Sequence, residues 1–171
     1  MQFTSLDGDR LFLEVKNHNP GSVEIILRNE DFPKKFKDSL KLIFTVFLCG
    51  ILGHLINVYL LVLIILGILE TLLIYKCLAL FKEQQIIFIS CIGFQVSSKK
   101  TIGTTTKYIP IKEFHDIVIN EVIYNFNIKS VLLLRTKTKQ KPLVPLLEPL
   151  NPPLSCLEEV FKVINKIVKL P

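Results

Sequence analysis

Apolar and polar positions divide this chain into three patterns. Alternating stretches lie near both ends, one long unbroken apolar run separates them, and a three-four repeat closes the C-terminus. The unbroken run covers residues 42–80. From 42 to 69 it carries no acid, lysine or arginine, and His54 and Asn57 are its only strongly polar side chains, close to Gly50 and Gly53. An apolar run of about 18 residues or more reads as membrane-spanning. As helix, this one would reach roughly 60 Å, about twice the hydrocarbon thickness of a bilayer. Two helices, about 34–56 and 58–81, joined by a tight turn around 53–57, fit that arithmetic. A single tilted span is the rival reading.

The flanking patterns are those of strands. Residues 10–16 and 22–28 are rich in strand formers and separated by Asn-His-Asn-Pro-Gly, which predicts a β-hairpin. Asp31 and Pro33 then mark a helix start. Beyond the apolar run, residues 85–90, 92–97, 104–109, 114–124, 131–135 and 143–147 read as strands, with loops or turns at 98–103, 125–127 and 136–141. In 117–123 both faces are mainly apolar, so this strand is expected to be covered on both sides. The last segment, 152–169, predicts an amphipathic helix capped by Asn151, with Pro152 and Pro153 in its first turn. Its stripe is Leu154, Leu157, Phe161, Ile164 and Val168, which should pack on a sheet.

Charge then orients the run. Lys34, Lys35, Lys37 and Lys41 precede it, Lys76 and Lys82 follow, and the predicted turn has no Lys or Arg. The positive-inside rule therefore places both termini in the cytosol. The expected organisation is an N-terminal β-hairpin (1–30), a membrane helical hairpin (31–82) and a main cytosolic β domain (83–171). The expected fold class is α+β: a two-helix transmembrane hairpin inserted in a small, mainly-β, pleckstrin-homology-like domain capped by the C-terminal amphipathic helix.

Composition adds limits. The chain has 171 residues, 50% of them hydrophobic, and a net charge of +6. With about 40 residues in the membrane, the remainder makes one small domain. Cysteines 49, 77, 91 and 156 have neither disulfide-framework nor zinc spacing, and free thiols suit the cytosol. The run is internal, unlike a signal peptide.

Candidate chemistry is sparse. Asp7 and Asp9 have the D-x-D spacing that clamps a metal–nucleotide complex, but Asp-Gly is also ordinary turn composition. Glu113 and Glu121 have the E-x7-E spacing of retaining glycosyltransferases, in a domain too small for such a site. His18, His54 and His115 have no metal or triad spacing. No catalytic residue, cofactor site or metal site is assigned. Glu70 stands inside the apolar run, either against a partner helix or at a wet boundary. Arg135, Lys137, Lys139 and Lys141, with Lys99, Lys100 and Lys107, form either solvated loops or a contact with anionic lipid headgroups. They lack the interleaved aromatics of a nucleic-acid surface, so no nucleic-acid partner is expected.

At Ile92-Gly93-Phe94-Gln95-Val96, Tyr108-Ile109-Pro110 and Asp116-Ile117-Val118-Ile119-Asn120-Glu121-Val122-Ile123, the chain resembles the PIG-H family, a non-catalytic component of phosphatidylinositol N-acetylglucosaminyltransferase. The resemblance covers roughly 84–169. It implies a non-catalytic subunit of an endoplasmic-reticulum complex that transfers N-acetylglucosamine from UDP-N-acetylglucosamine to phosphatidylinositol, the first step of GPI-anchor synthesis. Catalysis is assigned there to a PIG-A-type glycosyltransferase, alongside PIG-C, PIG-P, PIG-Q and PIG-Y types. Asn120 and Glu121 interrupt an apolar strand, one on each face. With Glu70, they are the candidate partner contacts. The alternatives are a hairpin-anchored lipid-binding adaptor with no enzyme partner, and a small transferase using Asp7, Asp9, Glu113 or Glu121.

Overall fold

The computed structural model describes residues 1–19, 21–55, 60–124, 126–137 and 142–168. It is a mixed α+β structure. Two antiparallel sheets and one helix surround a core, and a pair of long helices leaves from one end of the larger sheet.

The larger sheet is a six-stranded meander: β1 (Gln2–Thr4), β2 (Arg10–Asn19), β3 (Ser22–Asn29), β4 (Phe81–Ile89), β5 (Gly93–Lys100) and β6 (Thr104–Pro110). Alternation decides which side faces inward. In β2, Leu11 and Leu13 are buried; in β3, Val23, Ile25 and Leu27; in β4, Ile86 and Phe88; in β5, Phe94 and Val96. The second sheet is β7 (Phe114–Tyr124), β8 (Asn127–Thr136) and β9 (Leu143–Leu146). Leu132, Leu134 and Leu146 from it enter the same core. Phe94 joins the sheets, its ring 4.2 Å from that of Phe88 and 5.0 Å from that of Phe114.

Helices α1 (Phe32–Leu55) and α2 (Leu60–Ala79) are inserted between β3 and β4, which are hydrogen-bonded neighbours with Arg28 opposite Glu83. Both ends of the helix pair therefore start from adjacent strands, and α1 and α2 pack antiparallel. The expected turn at 53–57 falls partly on residues 56–59, outside the described residues. Asp31 opens α1 as its N-cap: its carbonyl accepts the Lys35 N–H at 2.9 Å. Its carboxylate does not cap but takes the Arg10 N–H at 2.8 Å and the Arg10 guanidinium.

Several expectations are corrected. Helix α2 stops at Ala79 and Phe81 already pairs with Lys100, so Lys82 belongs to a strand; pairing on both sides of β4 outweighs continuing the helix. Strand β5 likewise runs to Lys100 through part of the expected loop. Strand β1 has only three residues, too short to show an alternation. Asn151 is not the cap of the C-terminal helix. It lies in the left-handed region (φ 44°) and closes a 3₁₀ turn, Glu148–Leu150. The helix α3 (Leu154–Val168) instead starts from the Pro153 carbonyl, which accepts the Leu157 N–H. Its buried face is Cys156, Leu157, Val160, Ile164 and Ile167, leaving Leu154 and Val168 exposed. The buried face is thus turned from the predicted stripe toward Cys156, Val160 and Ile167.

Candidate functional site

The end of the larger sheet from which the helices depart is tied down by a few polar contacts. The Thr101 hydroxyl donates to the Cys77 carbonyl at 2.9 Å, and the Thr101 N–H to the Leu80 carbonyl at 3.0 Å. These bonds satisfy carbonyls that the end of α2 leaves open and fix the 101–103 loop against the last turn of α2. Glu83, buried beside them, receives Lys99 at 2.8 Å and Arg28 at 3.1 Å. Burial opposes ionisation of its carboxyl, but the hydrogen bonds from Lys99 and Arg28 together hold it below the ordinary carboxylate range. Asp31 is held lower, at about 2, first by the hydrogen bond from the Arg10 side chain and then by the Arg10 backbone N–H.

Helix α2 contains one 18-residue stretch, Val62–Ala79, of mean hydropathy 2.2, apolar and long enough to cross a bilayer. Glu70 lies in it, half-buried, on the side facing α1. It lines a groove of about 360 Å³ with Val46, Phe47, Gly50 and His54 of α1. His54 of α1 and Glu70 of α2 thus share one groove.

Asn120 and Glu121 stand midway along β7, opposite Val131 and Ser130, and both are exposed. The core contacts this strand on one face of its first half only, not on both faces as expected. Ile117 and Ile119 pack against the core, whereas Val122 and Ile123 are exposed. The β7–β8 hairpin is longer than the layers that sandwich it, so its outer part has no cover among the described residues.

The basic candidates divide. Arg135 forms a two-pronged pair with Asp116, and that hydrogen bond is the main reason the Asp116 carboxyl lies below its usual range. Lys137 follows it, its N–H bonded to the Glu113 carbonyl at 2.8 Å. This corner adjoins Pro110 and Gly93, at the opposite end of β4 from Phe81. Nine residues of strand put it roughly 30 Å from the end of α2. Lys139 and Lys141 lie outside the described residues. Lys82, Lys99 and Lys100 instead stand at the helix end, around a recess of about 330 Å³ with Phe32, Phe36, Thr101 and Thr104.

The carboxylates with enzyme-like spacing are not brought together. Asp7 accepts the Asn151 side-chain amide at 2.6 Å, and Asp9 accepts that of Asn29 at 3.0 Å and pairs with Lys35. Both fasten the N-terminal loop. Glu113 precedes β7 and Glu121 lies along it, so eight residues of strand separate them by roughly 27 Å, too far to act on one donor.

The three segments that carry the resemblance fall into place on this framework. Gly93 is paired with Pro110, Phe94 with Ile109 and Gln95 with Tyr108, so two of the segments are partners in one ladder. Gly93 has φ 143°, and a Cβ there would come within 2.2 Å of the Ile109 carbonyl oxygen, which only glycine tolerates. The third segment is β7. A family model, "GPI-GlcNAc transferase complex, PIG-H component", matches residues 85–148, from β4 to the 3₁₀ turn. Over this region the chain is similar to the PIG-H family. The H-type component of phosphatidylinositol N-acetylglucosaminyltransferase from Mus musculus is 28% identical over 92 residues, and that from Homo sapiens 29% over 92, in each case 50% of this chain and 49% of the relative. The chain thus spans about half the length of the curated relatives it matches. No solved structure matches.

What sequence reading missed is the set of groups at the helix end. Thr101, Glu83 and Arg28 are far apart in the chain, and only the β3–β4–β5 register assembles them.

Proposed function

We propose that the chain is a membrane-anchored, non-catalytic subunit of the complex that transfers N-acetylglucosamine from UDP-N-acetylglucosamine to phosphatidylinositol, and that it holds the PIG-A-type catalytic subunit at the cytosolic face of the endoplasmic reticulum. The PIG-H match over 85–148 supports the assignment to that complex. The observation that carries the anchoring is the pairing of β3 with β4 on either side of the helix insert. A single crossing by α2 would leave β3 and β4 on opposite faces of the bilayer, where they cannot share a ladder. If α2 crosses, α1 must cross back, and the lysines at the base of both helices face the cytosol. The two sheets with α3 then form a pleckstrin-homology-like domain on that face. Glu70, with His54, marks the groove where another membrane subunit of the PIG-C, PIG-P, PIG-Q or PIG-Y type docks. The gain for the reaction is proximity: catalytic subunit and lipid acceptor are held together.

Asn120 and Glu121 are the proposed docking contacts for the catalytic subunit. They are exposed on a strand whose outer half is uncovered. Replacing both by Ala should leave thermal stability within about 0.5 kcal/mol, as for surface substitutions generally. The same change should cut co-purification of the catalytic subunit severalfold, since truncating one partner of a buried polar contact costs about 2–5 kcal/mol of binding. Unchanged recovery of the catalytic subunit would remove these residues from the interface. A full chain that recovers no glycosyltransferase at all would favour the lipid-binding adaptor.

A further inference from the structure

We propose that the tip of the β7–β8 hairpin, with Ile102 of the β5–β6 loop, inserts into the headgroup–acyl boundary of the bilayer as a second anchor beside α1 and α2. This rests on the reading that α1 and α2 span the membrane.

The tip is unusually apolar for an exposed turn. Ile123 is 79% exposed, Phe126 104% and Ile128 70%, and Ile123 and Ile128 are paired across the hairpin. Phe126 also takes φ 63°, a conformation costly for a bulky side chain. Asn or Gly would suit that turn better, so neither the turn nor the core explains an aromatic there. Contiguous exposed apolar groups of this kind mark a binding surface.

Position identifies what covers them. Strand β7 starts at Phe114, packed on Phe94 near the end of the sheet remote from the helices. It reaches Val122, which shares a cavity of about 540 Å³ with Phe81. Phe81 lies two residues beyond the last residue of α2. The strand therefore runs toward the helix end of the domain. Two further residue pairs carry its tip about 7 Å past Val122. On the same end, Thr101 is bonded to Cys77 and Leu80 of the α2 terminus, and the next residue, Ile102, is 70% exposed. Two apolar points thus flank the place where α2 enters the domain.

Charge points to the same occupant. Lys129 lines the neck of the hairpin, and Lys82 and Lys100 stand by the 101–103 loop, Lys100 over the Phe81 ring at 5.0 Å. The acids nearby are Glu121, Glu148 and Glu83, the last already paired with Lys99 and Arg28. Apolar tips set below a collar of lysines match a surface of acyl chains beneath anionic headgroups. The pairing of Arg135 with Asp116, by contrast, lies at the remote end.

The chain has no tryptophan, so a single introduced one reports its own surroundings. Full-length Phe126→Trp and Ile128→Trp would be reconstituted in phosphatidylcholine–phosphatidylserine vesicles, with Ile68→Trp in mid-α2 and Ile92→Trp at the remote end as references. Emission would be measured with brominated acyl chains and with aqueous iodide. Both tip variants should lose about half their emission to the brominated lipid, as expected for an indole about 5–10 Å into the boundary. Ile92→Trp should respond to iodide alone. If both tip variants respond only to iodide while Ile68→Trp is quenched by lipid, the insertion is wrong and the anchoring stands. If Ile68→Trp is itself open to iodide, the spanning reading fails and the insertion with it. A tip that is shielded from iodide only after the catalytic subunit is added overturns the lipid proposal in favour of a protein partner.

Discussion

Arg10 and Asp31 join the start of β2 to the start of α1, and their geometry has a consequence for acid stability. A carboxyl whose folded value is depressed binds a proton more readily in the unfolded chain. Its contribution is fully present above the unfolded value, 3.8 for Asp31, and is lost as pH falls toward about 2. Glu83 and Asp116 are shifted in the same direction by Lys99 with Arg28 and by Arg135. The urea midpoint of the chain in detergent should therefore fall steadily below about pH 4.5. Asp31→Asn should flatten the part of that fall nearest pH 2–4. An unchanged slope would show that the Arg10 pair is as well formed in the unfolded chain. Little of this was legible in the sequence. Asp31 was readable as a helix-start residue from Asp-Phe-Pro, but its Arg10 partner is 21 positions away. Gly93 was legible as part of a family pattern, while its reason, the close approach of the Ile109 carbonyl, required the ladder.

Among the elements, those with a clean period were the legible ones. Strands β2 and β3 and helices α1, α2 and α3 were all readable, because alternation or an unbroken apolar run needs no knowledge of partners. Their ends were less so. Strand β4 begins at Phe81 because β5 holds it there, with Phe81 opposite Lys100, and β3 joins from Glu83 onward. Helix α3 shows how a stripe can be found and yet misaligned. Leu154, Leu157, Phe161, Ile164 and Val168 have helical spacing, but so does the face actually used, Cys156, Leu157, Val160, Ile164 and Ile167. A sequence offers two overlapping stripes, and the sheet selects one by fit. The difference is measurable. Ile164→Ala removes a fully buried side chain and should destabilise the domain by about 2–5 kcal/mol in chemical unfolding. Leu154→Ser, at a position 43% exposed, should change it by less than about 0.5 kcal/mol. Equal effects would mean that α3 sits on the sheet in the register read from sequence.

At the scale of the whole molecule, the helix pair is an insertion into a β-hairpin. Strands β3 and β4 are paired from Ser22 opposite Ile89 to Arg28 opposite Glu83, and only then does the chain depart into α1 and return from α2. Of the described residues in α1 and α2, Cys77 alone is buried, so the helices add almost nothing to the core of the sheets. Adjacent strands lie about 4.8 Å apart, a gap that a short turn spans. Replacing residues 32–79 by a short Asn-Gly-containing turn should therefore give a soluble domain in which β3 and β4 form an ordinary hairpin. Its loss would be the Thr101 hydrogen bond to the Cys77 carbonyl, worth about 1 kcal/mol. The shortened chain should unfold cooperatively in urea, and its amides in β3, β4 and β5 should resist hydrogen exchange. It should no longer sediment with membranes, apart from weak binding through the apolar hairpin tip. If it instead fails to fold while the full chain folds in detergent, the helices are part of the folding unit rather than an insertion. The domain and its anchor could then not be treated as separable parts.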